Sequence, residues 1–495
     1  MEARSPRSLD QRGRLSFLLK DSVLYGAAAA ISKAVALITF PLLAQHFSVA
    51  EYGILDYFLV LAGFLTTLFV FGQGSAFARY FFEYEEAAER RQLISQSLVF
   101  QLTVVGLLLP LLWLGAEWLA TLLIEAPERT LLFRIMLLQL PFALVINFSQ
   151  LVLKWTFDRR RFLVMSLGFA VVHATLLVIA VLVLDVGIKG VLIVSVGSSA
   201  VFGTLGMFFL RQWLARPRDF RRLWEMLPYA TPYGVIGVVG SFSPMLERTL
   251  TDKFLGAEDL GLYAAATKIA MLIGILISAF QTAWGPFSLS LYKQVGISDT
   301  YNWVFKLFAL VMCLLALVLA LLAHPLIHLL ATDRYSGAVI VVFPLLMGLA
   351  IQATSGITEI GIAISKRSYL NLYSYSASIA ATLAGIWLLA PAFGLLGVGM
   401  GVLLGHLVKA LISSWLAQRA YPLPWHYSPV IVLMTATLVL GLVAIWLGVH
   451  FGTMAHNLVL VASLLVVMLT GWGLLLDRSE RVRVVALVRS RLPLL

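Results

Sequence analysis

The chain has 495 residues, 60% hydrophobic and only 12% charged, with a formal net charge of +11. Soluble domains carry about 25% charged residues, so a water-soluble fold is excluded and an integral membrane protein fits. The lone Cys313 excludes an intrachain disulfide or a cysteine zinc site, the eight histidines form no H-E-x-x-H pattern, and no metal, cofactor or nucleic acid is expected.

The first twenty residues, MEARSPRSLDQRGRLSFLLK, are basic and polar. The apolar run after them, 23–46, exceeds the roughly 7–15 residues of a signal-peptide core and reads as a retained first helix. A bilayer core needs about 20 apolar residues per helix. Runs of that size continue at 53–73, 95–115, 130–152, 162–184, 188–211, 226–249, 262–284, 303–323, 338–361, 369–390, 394–417, 428–449 and 456–476. The expectation is an all-α polytopic protein of about fourteen transmembrane helices. GAEWLATLLIEAPE (115–128) and HPLIHLLATDRYSG (324–337) read as short amphipathic segments at the outer surface.

Orientation follows from the loops. With the N-terminus inside, twenty-six of the 36 Lys and Arg residues fall in cytoplasmic segments and four outside. That asymmetry predicts cytoplasmic N- and C-termini and an even helix count.

An internal repeat runs through these helices. Ala50-Glu51 matches Ala257-Glu258 at an offset of 207, and Gly53 matches Gly261 at 208. Tyr25-Gly26 matches Tyr233-Gly234, and Gln73 matches Gln281, both at 208. Gly187, Gly190 and Val191 match Gly394, Gly397 and Val398 at 207, and DRRRF (158–162) meets SKRSY (365–369) at the same distance. Six helices separate the copies, so both copies share one orientation, which is the pattern of a parallel-repeat transporter. The expected organisation is an N-terminal six-helix lobe (1–218), a pseudo-symmetric second lobe (219–422) and an additional two-helix hairpin with a basic tail (423–495).

Ionisable residues inside apolar runs are costly and mark function. Lys33 lies near the middle of the first run, Lys268 about two turns into the eighth, and Arg248 beside Glu247 at the end of the seventh. Asp56, one turn into the second run, and Glu359, near the inner end of the tenth, are the candidates for ion coupling. Gln73, Gln281 and Trp284 are candidate cavity-lining residues. Lys306, Lys409 and Arg134 lie near enough to run ends to reach the headgroups. The deeper charges are mostly basic, which suits an anionic, phosphate-bearing substrate. No P-loop, catalytic triad or paired-carboxylate constellation is visible, and catalysis is not expected.

The stretch LAQHFSVAEYGILDYF (43–58) resembles the first loop of the polysaccharide transporter family. Leu43, Phe47, Glu51, Tyr52 and Gly53 fill its pattern, and GVGMGVLLGHLVKALISSWLAQR (397–419) is similar to its twelfth helix. These are Wzx-type O-antigen and exopolysaccharide flippases, in the superfamily that also holds MATE drug exporters and the lipid II flippase MurJ. The resemblance implies two six-helix bundles in a V. It also implies translocation of an undecaprenyl-pyrophosphate-linked oligosaccharide across the bacterial inner membrane by alternating access. The polysaccharide polymerase and chain-length machinery are the partners it implies. On this resemblance Lys33, Arg248 and Lys268 face the pyrophosphate. The first helix has no arginine cluster of the lipid II flippase kind. A MATE-like cation antiporter and a membrane enzyme of glycan polymerisation remain alternatives.

Overall fold

The computed structural model describes residues 28, 31, 32, 34, 35, 37–84, 86–124, 127–292, 294, 296–475 and 481. Among them every regular element is helical. Helix α1 covers residues 37–46. It is followed by α2 (Val49–Val70), α3 (Gln73–Glu83), α4 (Ala87–Leu114), α5 (Ala116–Ile124) and α6 (Thr130–Trp155). Next come α7 (Arg159–Leu163), continued through a π turn into α8 (Phe169–Leu182), then α9 (Ile188–Leu210), α10 (Arg221–Leu255) and α11 (Ala257–Leu291). The remainder is α12 (Ile297–Leu321), α13 (Ala323–Ala331), α14 (Val339–Thr358), α15 (Ile360–Ile364), α16 (Leu370–Ala420), α17 (Tyr427–Phe451) and α18 (Thr453–Thr470).

Eleven of these spans are long and apolar enough to cross a membrane by length and composition. The chain is an all-α polytopic membrane protein. The expected fourteen runs map onto the helices with three differences. The run 23–46 is described only in part, with its continuous helix beginning at residue 37. Helix α10 is not among the eleven, because charged residues at both ends and three internal prolines dilute its apolar character. The runs 369–390 and 394–417 join into the 51-residue α16, interrupted at Gly394, whose φ of 57° a side-chain-bearing residue rarely adopts.

Glu51 and Gly53, which fill the first-loop pattern in the sequence, sit in a helix rather than in a loop, both inside the first turns of α2. Ser48 caps that helix by accepting from the Glu51 amide (3.2 Å), while the Glu51 carboxylate accepts from the Ser48 amide (2.9 Å). This reciprocal capping box satisfies donors that a helix start leaves open. The carboxylate also stands at the helix N-terminus, where negative charge is favoured. One turn on, Gly53 meets Gly261. A Cβ on Gly53 would lie 2.5 Å from the Gly261 nitrogen, and a Cβ on Gly261 would collide with the Val49 carbonyl. The two repeat-related glycines thus let α2 and the start of α11 touch through backbone.

The repeat also shows in how helices end. Beyond α6 the amides of Thr156, Phe157 and Asp158 bond the carbonyls of Val152, Lys154 and Leu153; beyond α15 those of Ser365, Lys366 and Arg367 bond Gly361, Ala363 and Ile362. Phe157 (φ 57°) and Lys366 (φ 58°) take the same left-handed conformation. This Schellman-type ending satisfies the last carbonyls. It aligns the copies at 209 here, against 207 for Ala116 with Ala323 at the starts of α5 and α13. The extra length enters between those points, where the 3-10 segment is Pro127–Arg129 in one copy and Asp333–Ala338 in the other.

The chain divides after Gly261 into two compact units, Met1–Gly261 and Leu262–Leu495. In the first, α10 runs along α2 and reaches α3 and α4, while α6 packs on α9. The seventh long helix therefore groups with the residues before it. In the second, α14 packs on α16 and α12, and the α17–α18 hairpin closes on α12.

Candidate functional site

In the first unit the buried polar groups converge on the face shared by α2 and α10. Asp56 lies three residues beyond Gly53, on the part of α2 that this close crossing draws against its neighbours. Its Oδ2 accepts from Arg248 Nε at 2.7 Å, and the two side chains are 1% and 6% exposed. Arg248 Nη1 also donates to the Pro244 carbonyl at 3.1 Å. The neighbouring residues repeat the link: Tyr57 Oη lies 2.9 Å from Thr249 Oγ1 and donates to the Leu123 carbonyl. One turn further, Arg129 Nη1 meets Asp252 Oδ2 at 3.2 Å. Pro228, Pro232 and Pro244 within α10 each withhold a helical N–H. The helix is thus held to α2 by side chains while its own backbone ladder is weakened.

A second polar cluster lies at the break between α2 and α3. Phe71 (φ 38°) and Gly72 (φ 70°) end α2, and Gln73 opens α3. Gln73 is buried, and its Oε1 accepts from Gln101 Nε2 of α4 at 2.9 Å. Gln73 Nε2, Gln101 Oε1 and Ser97 Oγ have no hydrogen-bond partner among the described residues. The cluster is neutral, and its open donors and acceptors suit water or hydroxyl groups.

The second unit holds its own buried acid–base pair. Lys409 Nζ of α16 donates to Glu359 Oε1 at 2.8 Å, and the ammonium sits 4.8 Å from the centre of the Tyr375 ring. Glu359 occupies the junction between α14 and α15. Lys409 and Lys306 were expected to reach the headgroups; both are buried instead. Trp284 is buried in an aromatic group with Phe280 and Tyr301, its indole N–H without a hydrogen-bond partner among the described residues. Gln281, one turn earlier, is exposed, and Lys268 is half-buried on α11. Lys33 lies outside the described residues.

The structure therefore brings together Asp56 and Arg248, which were expected to serve separate tasks, and joins Glu359 to Lys409. The charge of Arg248 is matched locally by Asp56, so the pair adds no net positive charge. Gln101 was missed, although a glutamine in the apolar run 95–115 carries the same signal as Gln73. Tyr57 and Thr249 gave no signal, since their meeting depends on the register of two helices far apart in sequence. Among the described residues no group of three or more His, Cys, Asp or Glu side chains could hold a metal ion.

The fold is shared with solved transporters. The lipid II flippase MurJ in an inward closed conformation superposes with a TM-score of 0.67 at 14% identity, covering 90% of this chain and 98% of that one. An inward-facing multidrug-resistance MATE transporter of the MOP superfamily gives 0.63 at 15% identity, covering 78% and 94%. A Vibrio cholerae MATE transporter gives 0.54 at 18% identity, covering 81% and 95%. No curated protein matches in sequence. The family model described as "Polysaccharide biosynthesis protein" matches residues 18–292, more than half of the chain. The chain belongs to this polysaccharide biosynthesis protein family.

Proposed function

We propose that the protein is a flippase that moves an undecaprenyl-pyrophosphate-linked oligosaccharide, an O-antigen or exopolysaccharide repeat unit, from the cytoplasmic to the outer leaflet of a bacterial inner membrane. One conjunction carries the reading: a polysaccharide-biosynthesis family match on a fold shared with a lipid II flippase. The two repeats act as lobes, 1–218 and 219–422, that alternate in access, and 423–495 is an added hairpin. Both termini are cytoplasmic.

Lys33, Arg248 and Lys268 receive the pyrophosphate, and Gln73, Gln281 and Trp284 line its path. Arg248 cannot do so while fully committed to Asp56. A diphosphate reaching the guanidinium displaces that carboxylate, which then takes up a proton or another cation. Asp56 thereby links cargo binding to an ion, and Glu359 beside Lys409 is the corresponding candidate in the second unit. An outward-moving anion also gains from an inside-negative potential, about 2.3 kcal/mol per charge per 100 mV. The polymerase and chain-length machinery act on the delivered product.

The test is depletion of the protein in its host. Lipid-linked repeat units are expected to accumulate in the inner leaflet while surface glycan falls, with both restored by the wild-type gene. Unchanged glycan together with increased sensitivity to cationic drugs would instead support a MATE-like antiporter.

A further inference from the structure

The segment joining α9 to α10 is held in place and presents its charges outward. Three side chains of α4 grip its backbone. Ser95 Oγ accepts from the Ala215 amide at 2.8 Å. Gln92 donates to the Arg216 carbonyl at 2.9 Å and accepts from the Arg218 amide at 3.1 Å. Gln96 accepts from the Leu223 amide at 3.3 Å and donates to Asp219. The second unit uses the same device: Asn302, at an offset of 207 from Ser95, accepts from the His426 amide and donates to the Pro424 carbonyl.

The segment itself reads FFLRQWLARPRDFRRLWEM (208–226). Arg222 is committed to Glu89 at 3.0 Å and Arg221 to Glu225 at 2.8 Å. The side chains of Arg216 and Arg218 are exposed and form no ion pair or hydrogen bond among the described residues. Arg211 is exposed and lies 4.0 Å over the exposed Phe208 ring. Phe220 and Trp224 are exposed too, Trp224 at 68%. Arginines alternating with exposed aromatic rings at the ends of membrane-crossing helices match the chemistry of the bilayer interface. Aromatic rings settle at headgroup depth, and cations near them meet lipid phosphates.

We infer that the 211–224 connector is a binding platform for anionic phospholipid headgroups. The grip of α4 matters because it fixes the backbone before lipid arrives, so only the arginine side chains lose freedom on binding. The occupant is a bilayer phospholipid, because the exposed rings demand an apolar neighbour beside the phosphate, which a soluble anion does not supply. The inference is independent of the cargo the protein carries.

Native mass spectrometry of the purified full-length protein, released from nanodiscs of phosphatidylcholine with or without phosphatidylglycerol, tests it. Each arginine near an anionic surface contributes about 1 kcal/mol, roughly fivefold in binding. Arg216→Ala with Arg218→Ala is therefore expected to reduce retained phosphatidylglycerol roughly 25-fold, and Arg216→Lys with Arg218→Lys to keep most of it. Trp224→Ala is expected to weaken retention of both lipids. Inorganic phosphate in excess should not displace the lipid. The proposal is overturned if the wild-type protein retains both lipids equally, if the alanine variant retains as much phosphatidylglycerol as the wild type, or if phosphate competes fully. A lower melting temperature of the alanine variant in pure phosphatidylcholine also overturns it, since the arginines would then serve the fold.

Discussion

Asp56→Asn removes the charge that faces Arg248 while keeping the size of the side chain. The pair is separated by 2.7 Å and withdrawn from solvent on both sides. At an effective dielectric constant near 20, two unit charges about 4 Å apart attract by about 4 kcal/mol. Breaking a buried pair from one side typically costs about 3–5 kcal/mol, because the remaining charge is stranded. Asp56→Asn and Arg248→Gln should each lower the melting temperature in detergent, measured by thermal challenge followed by size-exclusion chromatography. The double variant strands neither charge and should recover most of the loss. Surface glycan separates the two roles of the pair. A double variant that folds normally but exports no glycan shows that the charges act in transport. If either single variant melts like the wild type, the assignment of a desolvated, mutually dependent pair is refuted.

Three further outcomes follow from the same geometry. Glu359→Gln should destabilise the protein in the same assay, Lys409→Met should do likewise, and the two together should cost less than their sum. Gly261→Val places a branched side chain against the Val49 carbonyl and should abolish recovery of folded protein, whereas Gly63→Ala, with nothing within 4 Å of the added carbon, should be silent. Gln73→Leu or Gln101→Leu alone should lower stability by about 1–3 kcal/mol by leaving the other amide unpaired, and the double substitution should restore much of it; equal losses in single and double variants would argue against the amide pair.

The helices were legible because a bilayer imposes their length, and apolar runs report that length directly. The register between helices was not. Asp56 and Arg248 are 192 residues apart, and nothing local to either says that they face each other. Glu359 and Lys409 were each visible as intramembrane charges, yet reach to the headgroups explained Lys409 equally well until α14 and α16 were placed together. The repeat was legible in its glycines, since only a glycine allows the Gly53–Gly261 approach. It was misjudged by two residues at DRRRF and SKRSY, because the shared feature there is a backbone conformation at Phe157 and Lys366, which different side chains can adopt.

The capping box and the glycine crossing have a consequence for kinship. Glu51 is occupied with starting α2, and Gly53 with admitting a neighbouring helix. Chains that share this signature share a way of beginning and crossing helices, whatever glycan they handle. Differences in cargo between such relatives should be sought where α2 faces α10 and around Gln73 and Gln101, where polar side chains are buried without a structural need that the signature explains.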